Sequence, residues 1–90
     1  MLERIEKLKE VLSKPKKIVI TTHRGPDGDA IGSSLALYNL LTKNHHSVSV
    51  VTPNDYASFL HWLAGNDNVV EYESSKDKAV DLVNDAEVIF

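Results

Sequence analysis

Ninety residues with a formal charge of −3, 42% hydrophobic and 26% charged, describe one small globular domain and exclude both disorder and an electrostatic grip on duplex DNA. The absence of cysteine excludes disulfides, thiolate metal sites and thiol nucleophiles, so any metal must take nitrogen and oxygen ligands. No apolar run approaches the roughly 20 residues of a membrane span, and the start of the chain lacks the hydrophobic core of a signal peptide, so a cytoplasmic protein without membrane partners is expected.

Leu2, Ile5, Leu8, Val11 and Leu12 recur at helical spacing among Glu and Lys, which predicts an amphipathic helix over 2–13 that Pro15 ends. Lys14, Lys16 and Lys17 then form a solvated basic cluster suited to the negative end of the helix dipole. Lys17 to Thr22 is a β-branched run without polar alternation, the pattern of a buried parallel strand. Ala30 to Lys43 carries Ile31, Leu35, Leu37, Tyr38, Leu40 and Leu41, the strongest helical pattern of the chain, with Asn44 to end it. Ser47 to Val51 alternates as a second strand, and strand, helix, strand in this order is a βαβ unit with a right-handed crossover and parallel strands.

The next segment predicts a short helix beginning at Asn54 or Asp55 as cap, carrying Phe59, Leu60 and Leu63, with Gly65 past its end. Val69 to Tyr72 reads as a weak third strand. Ser74 or Ser75 caps a helix to about Asn84 with Ala79, Leu82 and Val83 facing inward. Glu87 to Phe90 begins another buried strand, and its abrupt stop reads as a truncated domain. The expected fold class is α/β, a parallel sheet with helices on both faces in three layers.

His23, Asp27 and Asp29 fall between the first strand and the long helix, at the carboxyl end of a strand where open α/β sheets bind ligands. An imidazole with carboxylates at short spacing suits Mn²⁺, Zn²⁺, Fe²⁺ or Co²⁺ better than Mg²⁺ or Ca²⁺ alone. Gly25 and Gly28 free the backbone for that convergence, and the helix start near Gly32 and Ser33 offers N–H groups to a phosphate. The string is also turn-forming, with Asp29 placed as an N-cap. An EF-hand is excluded because Tyr38 stands where its glutamate belongs, and neither G-x-G-x-x-G nor a P-loop is present. His45 and His46 read as solvated residues at a helix end, and Trp62, beside His61, as a packed residue rather than a base-stacking one. Ser33 and Ser34 have no local base and are not expected to be nucleophiles.

The phrase His23-x-x-Pro26-Asp27-Gly28-Asp29-Ala30-x-Gly32-Ser33 resembles the first motif of the DHH phosphoesterases. Within that family the chain is most similar to the oligoribonuclease (nanoRNase) and phosphoadenosine-phosphate phosphatase group, including its Phe59-Leu60-x-Trp62-Leu63 pattern. The resemblance implies the N-terminal part of a DHH domain, a pair of Mn²⁺ ions with His23 and Asp27 on one and Asp29 on the other, and hydrolysis of short oligonucleotides or small nucleotides. It also implies that the remaining ligands and the catalytic residues lie beyond Phe90. The 90-residue chain is therefore expected to be inactive alone, and a homodimer is among the arrangements expected of the full-length form. Rival readings are a family II pyrophosphatase, a single-strand exonuclease, and a nucleotide- or metal-binding module without catalysis.

Overall fold

The computed structural model describes residues 1–56 and 58–90, with the side chain of Phe59 also outside the description. Among the described residues nine elements follow one another: α1 (Leu2–Val11), β1 (Lys17–Thr21), α2 (Gly28–Lys43), β2 (Ser47–Thr52), 3-10 turns at Ser58–Leu60 and Asn66–Asn68, β3 (Val69–Glu71), α3 (Lys76–Asp85) and β4 (Val88–Ile89). The strands form one sheet in the order β3-β2-β1-β4, and every pair is parallel. Since β1 leads to β2 on one side and is joined by β4 on the other, the topological switch lies between β1 and β4.

The sheet separates two cores. Ile18, Ile20 and Val50 face Ile31, Leu35 and Leu41 of α2, whereas Val19, Val51 and Val70 face Ala79 of α3. Alternate residues of a strand point to opposite faces, and β1 is apolar at three consecutive positions because both faces are covered. The α/β three-layer reading is therefore correct.

Several local expectations differ from the structure. The helix α1 ends at Val11, and its apolar stripe is not buried among the described residues: Leu2, Ile5, Leu8 and Val11 are all exposed. Only Leu12, just past its end, packs on the core. The predicted helix after Asn54 is replaced by two 3-10 turns, at Ser58–Leu60 and Asn66–Asn68, with Gly65 left-handed at φ 93 between them. A side chain on Gly65 would begin 3.0 Å from Tyr38 Cδ1, so this glycine also lets the segment lie close on α2. Asn39 secures the contact, donating from Nδ2 to the Ala64 carbonyl at 3.1 Å. Val83 is more exposed than predicted, while Ala79 is buried.

His46 is buried rather than solvated. The N–H of His46 bonds the Leu41 carbonyl and that of His45 the Thr42 carbonyl, with His45 at φ 72, the pattern of a Schellman ending. That geometry turns His46 inward beside Leu41, where its Nδ1 accepts the Lys16 N–H at 3.1 Å. The imidazole thus ties the end of α2 to the entry of β1. His45→Gly should stabilise the chain by about 1 kcal/mol, because glycine occupies the left-handed position without steric cost. His46→Ala should destabilise it by about 1 kcal/mol or more by orphaning the Lys16 N–H. Urea denaturation of both variants checks these signs.

Candidate metal and phosphate site

Past β1 the backbone leaves the core through Thr22 and turns at Gly25, which has φ 65, before Pro26 buries its ring. Asp27 is the N-cap of α2: its Oδ1 accepts the Ala30 N–H at 2.9 Å. The helix therefore begins at Gly28, earlier than the apolar pattern indicates, and the capping role falls to Asp27 rather than Asp29. Gly28, unlike Gly25, has an ordinary negative φ, so its backbone freedom is not used.

His23 Nδ1 lies 2.9 Å from the Arg24 carbonyl. A carbonyl only accepts, so Nδ1 carries a proton, and in the neutral imidazole this contact selects the tautomer whose lone pair is on Nε2, able to ligate. This Nε2 is 4.0 Å from Asp27 Oδ1, with both side chains largely open to solvent. Imidazole and carboxylate donors sit about 2.0–2.2 Å from a transition-metal ion, so two donors on one ion are at most about 4.3 Å apart. The pair fits that limit. The oxygen within that limit is the same Oδ1 that accepts the Ala30 N–H, and a carboxylate oxygen has a second lone pair to offer a cation while it caps the helix.

Asp29 lies in the first turn of α2, exposed. Among the described residues no group of three or more His, Asp or Glu side chains comes together as a metal cluster, so the structure brings His23 and Asp27 together and does not bring Asp29 to them. The two phosphate candidates are also only partly suited: the Ser33 hydroxyl donates back to the Asp29 carbonyl at 2.7 Å, and Gly32 is already the fifth residue of the helix, with its N–H inside the first turns.

Arg24 and Glu73, which sequence reasoning did not single out, and Asn54, expected there only as a helix cap, complete one side of the rim. Gly25 N–H donates to Asn54 Oδ1 at 2.8 Å, and Arg24 Nη2 pairs with Glu73 Oε1 at 3.1 Å. Asn54 and Glu73 follow β2 and β3 as His23 follows β1, and that shared position is the signal that could have found them. On the other side, the Thr21 N–H and hydroxyl both donate to the Phe90 carbonyl, at 3.0 and 3.1 Å. The carboxyl ends of all four strands thus meet around His23 and Asp27.

Beyond Asn54, Asp55 Oδ1 accepts the Tyr56 N–H at 2.8 Å and lies 3.2 Å from His61 Nε2. The Tyr56 N–H holds the Asp55 carboxyl below its ordinary pKa, with a smaller contribution from His61. The Tyr56 and His61 rings meet edge to face with centroids 4.7 Å apart, and the Tyr56 hydroxyl bonds Asn66. Burial is the main cause that raises the Tyr56 pKa. In the Phe59-Leu60-x-Trp62-Leu63 pattern, Leu60 is buried and Leu63 half-buried, whereas Trp62 is 79% exposed; the Phe59 side chain lies outside the described residues. The expectation of a packed Trp62 is wrong: the 3-10 turn ends at Leu60, and Trp62 lies in the irregular turn that follows it.

Residues 17–89 match the model of the DHH family, N-terminal domain. The chain is 35% identical to the probable bifunctional oligoribonuclease and PAP phosphatase NrnA of Streptococcus mutans, over 84% of this chain and 26% of that protein. Its fold superposes on the crystal structure of an exopolyphosphatase-related protein from Bacteroides fragilis with a TM-score of 0.95 and 37% identity, covering 99% of this chain and 26% of that one. The chain spans about a quarter of the length of either relative. With a family match across nearly all of the sheet and the motif at its centre, the chain belongs to the DHH family.

Proposed function

We propose that the chain supplies the first metal ligands of a phosphoesterase acting on short oligoribonucleotides or on small nucleotides such as phosphoadenosine phosphate. The observation that carries this reading is the His23–Asp27 pair: an imidazole whose Nδ1 meets the Arg24 carbonyl and whose Nε2 lies 4.0 Å from a capping carboxylate, at the carboxyl end of the central strand. Membership of the DHH family and the relative named as an oligoribonuclease and PAP phosphatase support the substrate class. The neighbour described as exopolyphosphatase-related makes polyphosphate the second substrate to test.

In this reading His23 and Asp27 hold one divalent cation, Mn²⁺ by the resemblance to the DHH phosphoesterases, and Asp29 faces a second. Such a pair of cations lowers the pKa of a bound water and neutralises charge on the phosphoryl oxygens. The chain's own residues do the positioning. The Arg24 carbonyl fixes the imidazole tautomer, the Ala30 N–H orients the Asp27 carboxylate, and the positive end of the α2 dipole favours an anion at the same place.

Two donors within reach of one another make a weak cation site, so the 90-residue chain should bind Mn²⁺ weakly and turn over phosphodiesters far more slowly than the family's longer members. Turnover by the purified chain at a rate comparable to theirs would contradict this. Asp27 has two roles, and two substitutions separate them. Asn caps a helix about as well as Asp, whereas Ala costs about 1 kcal/mol at that position. Asp27→Asn should therefore keep the thermal stability and lose Mn²⁺ binding by calorimetry, while Asp27→Ala should lose both. Unchanged Mn²⁺ binding in Asp27→Asn and Asp29→Ala would remove the metal reading.

A further inference from the structure

We infer that Asn54 positions the His23 imidazole and sets its tautomer, acting through the one peptide unit that lies between the two side chains. The inference rests on the metal reading above and extends it to a residue at the end of β2, outside the DHH motif.

The Arg24 carbonyl and the Gly25 N–H belong to the same peptide, a rigid plane whose two polar groups point in opposite directions. One side of it meets His23, whose Nδ1 lies 2.9 Å from the Arg24 oxygen. The other side meets Asn54, whose Oδ1 accepts the Gly25 N–H at 2.8 Å. Rotation of the plane would turn the carbonyl away from the ring, and the bond to Asn54 opposes that rotation. Gly25 makes such a restraint necessary: a glycine, here at φ 65, has both halves of the φ range open to it and does not hold the plane by its own sterics. Donation of the N–H also polarises the carbonyl of the same unit, so each bond strengthens the other.

Asn54 can serve as the fixed end because the sheet reaches almost to it. The Thr52 carbonyl accepts the Tyr72 N–H at 2.8 Å and the Pro53 carbonyl accepts the Glu73 N–H at 3.2 Å, so the pairing of the β2 and β3 segments continues up to the residue before Asn54. Glu73, on the other side of that pairing, holds the Arg24 guanidinium at 3.1 Å. The peptide that follows Arg24 and the side chain of Arg24 are thus gripped from one ribbon. A carboxamide suits the position, since its oxygen accepts as a carboxylate would and adds no charge to compete with Asp27 for a cation.

The tautomer can be read without metal. In long-range proton–nitrogen correlation spectra of the rings, at a pH where His23 is neutral, the wild-type chain should show His23 mainly as the Nδ1–H form. Asn54→Leu, close in size and unable to accept, should keep the dispersed amide signals of the sheet and give a mixture of both tautomers. It should also raise about 10-fold the Mn²⁺ concentration at which the His23 and Asp27 signals broaden. Asn54→Asp restores the acceptor and should restore the Nδ1–H form. Asn39→Ala removes a side-chain tie to the Ala64 carbonyl and should leave the His23 tautomer as in the wild type. An Nε2–H tautomer in the wild type would overturn the inference whether or not the leucine variant folds. So would a wild-type tautomer in Asn54→Leu, or an equal loss of the Nδ1–H form in Asn39→Ala.

The two readings fail separately. If the tautomer follows Asn54 while Asp27→Asn leaves Mn²⁺ binding unchanged, Asn54 positions an imidazole that holds no cation and the metal reading is wrong. If Asp27→Asn abolishes Mn²⁺ binding while Asn54→Leu changes neither the tautomer nor the response to Mn²⁺, the metal site stands and the role of Asn54 is wrong.

Discussion

The bond from the Ala30 N–H to Asp27 Oδ1 decides where β1 stops being core and α2 starts, and most of the structure follows from that point. Ile18, Val19 and Ile20 are buried on both faces of the sheet, so the chain must leave the core before it can carry polar side chains. It does so through Thr21 and Thr22, turns at Gly25, and spends its first helix-capping carboxylate on the exposed Ala30 N–H. An uncapped α2 would leave its first N–H groups to water alone and would free the loop that holds His23. Capping and metal binding use the same carboxylate, which makes the local fold and the proposed chemistry inseparable at this residue.

Around that point the strand ends are tied to one another by side chains as well as by the ladder. Asn54 after β2 holds Gly25, Glu73 after β3 holds Arg24, and Thr21 grips the Phe90 carbonyl after β4. These are largely exposed contacts, each of modest worth by itself, and the rigidity they confer comes from the sheet beneath them. The parallel register fixes the heights of the four ends, and the exposed side chains only select how the loops lean. The Arg24–Glu73 pair is the weakest of these ties because both side chains are open to solvent.

The architecture was legible in the sequence wherever a side-chain period had a single physical reading. The apolar run of β1, the alternation in β2 and the long α2 face each had a single meaning, and the βαβ order then dictated parallel strands. The DHH motif made His23 and Asp27 visible for the same reason, since its residue types are fixed by backbone position as well as by chemistry. What was not legible depended on tertiary placement. Trp62 has the helical spacing of a core residue, but the first 3-10 turn ends at Leu60 and Trp62 falls in the irregular turn after it. His46 has the composition of a solvated helix end, but the left-handed His45 turns it inward to Lys16. The convergence of Asp29 with His23 was inferred from spacing of residues along the chain, whereas the helix that Asp27 caps carries Asp29 into its first turn.

The central claim is that His23 and Asp27 present one cation site at the junction of β1 and α2. It is tested most directly by Mn²⁺-induced paramagnetic broadening in the amide NMR spectrum of the chain. The account predicts that the first signals lost at substoichiometric Mn²⁺ are those of the loop and cap from Thr22 to Ala30, with the acidic residues of α3 unaffected. Broadening that begins at α3 or at Asp55, or that spreads over all exposed carboxylates at once, would contradict it.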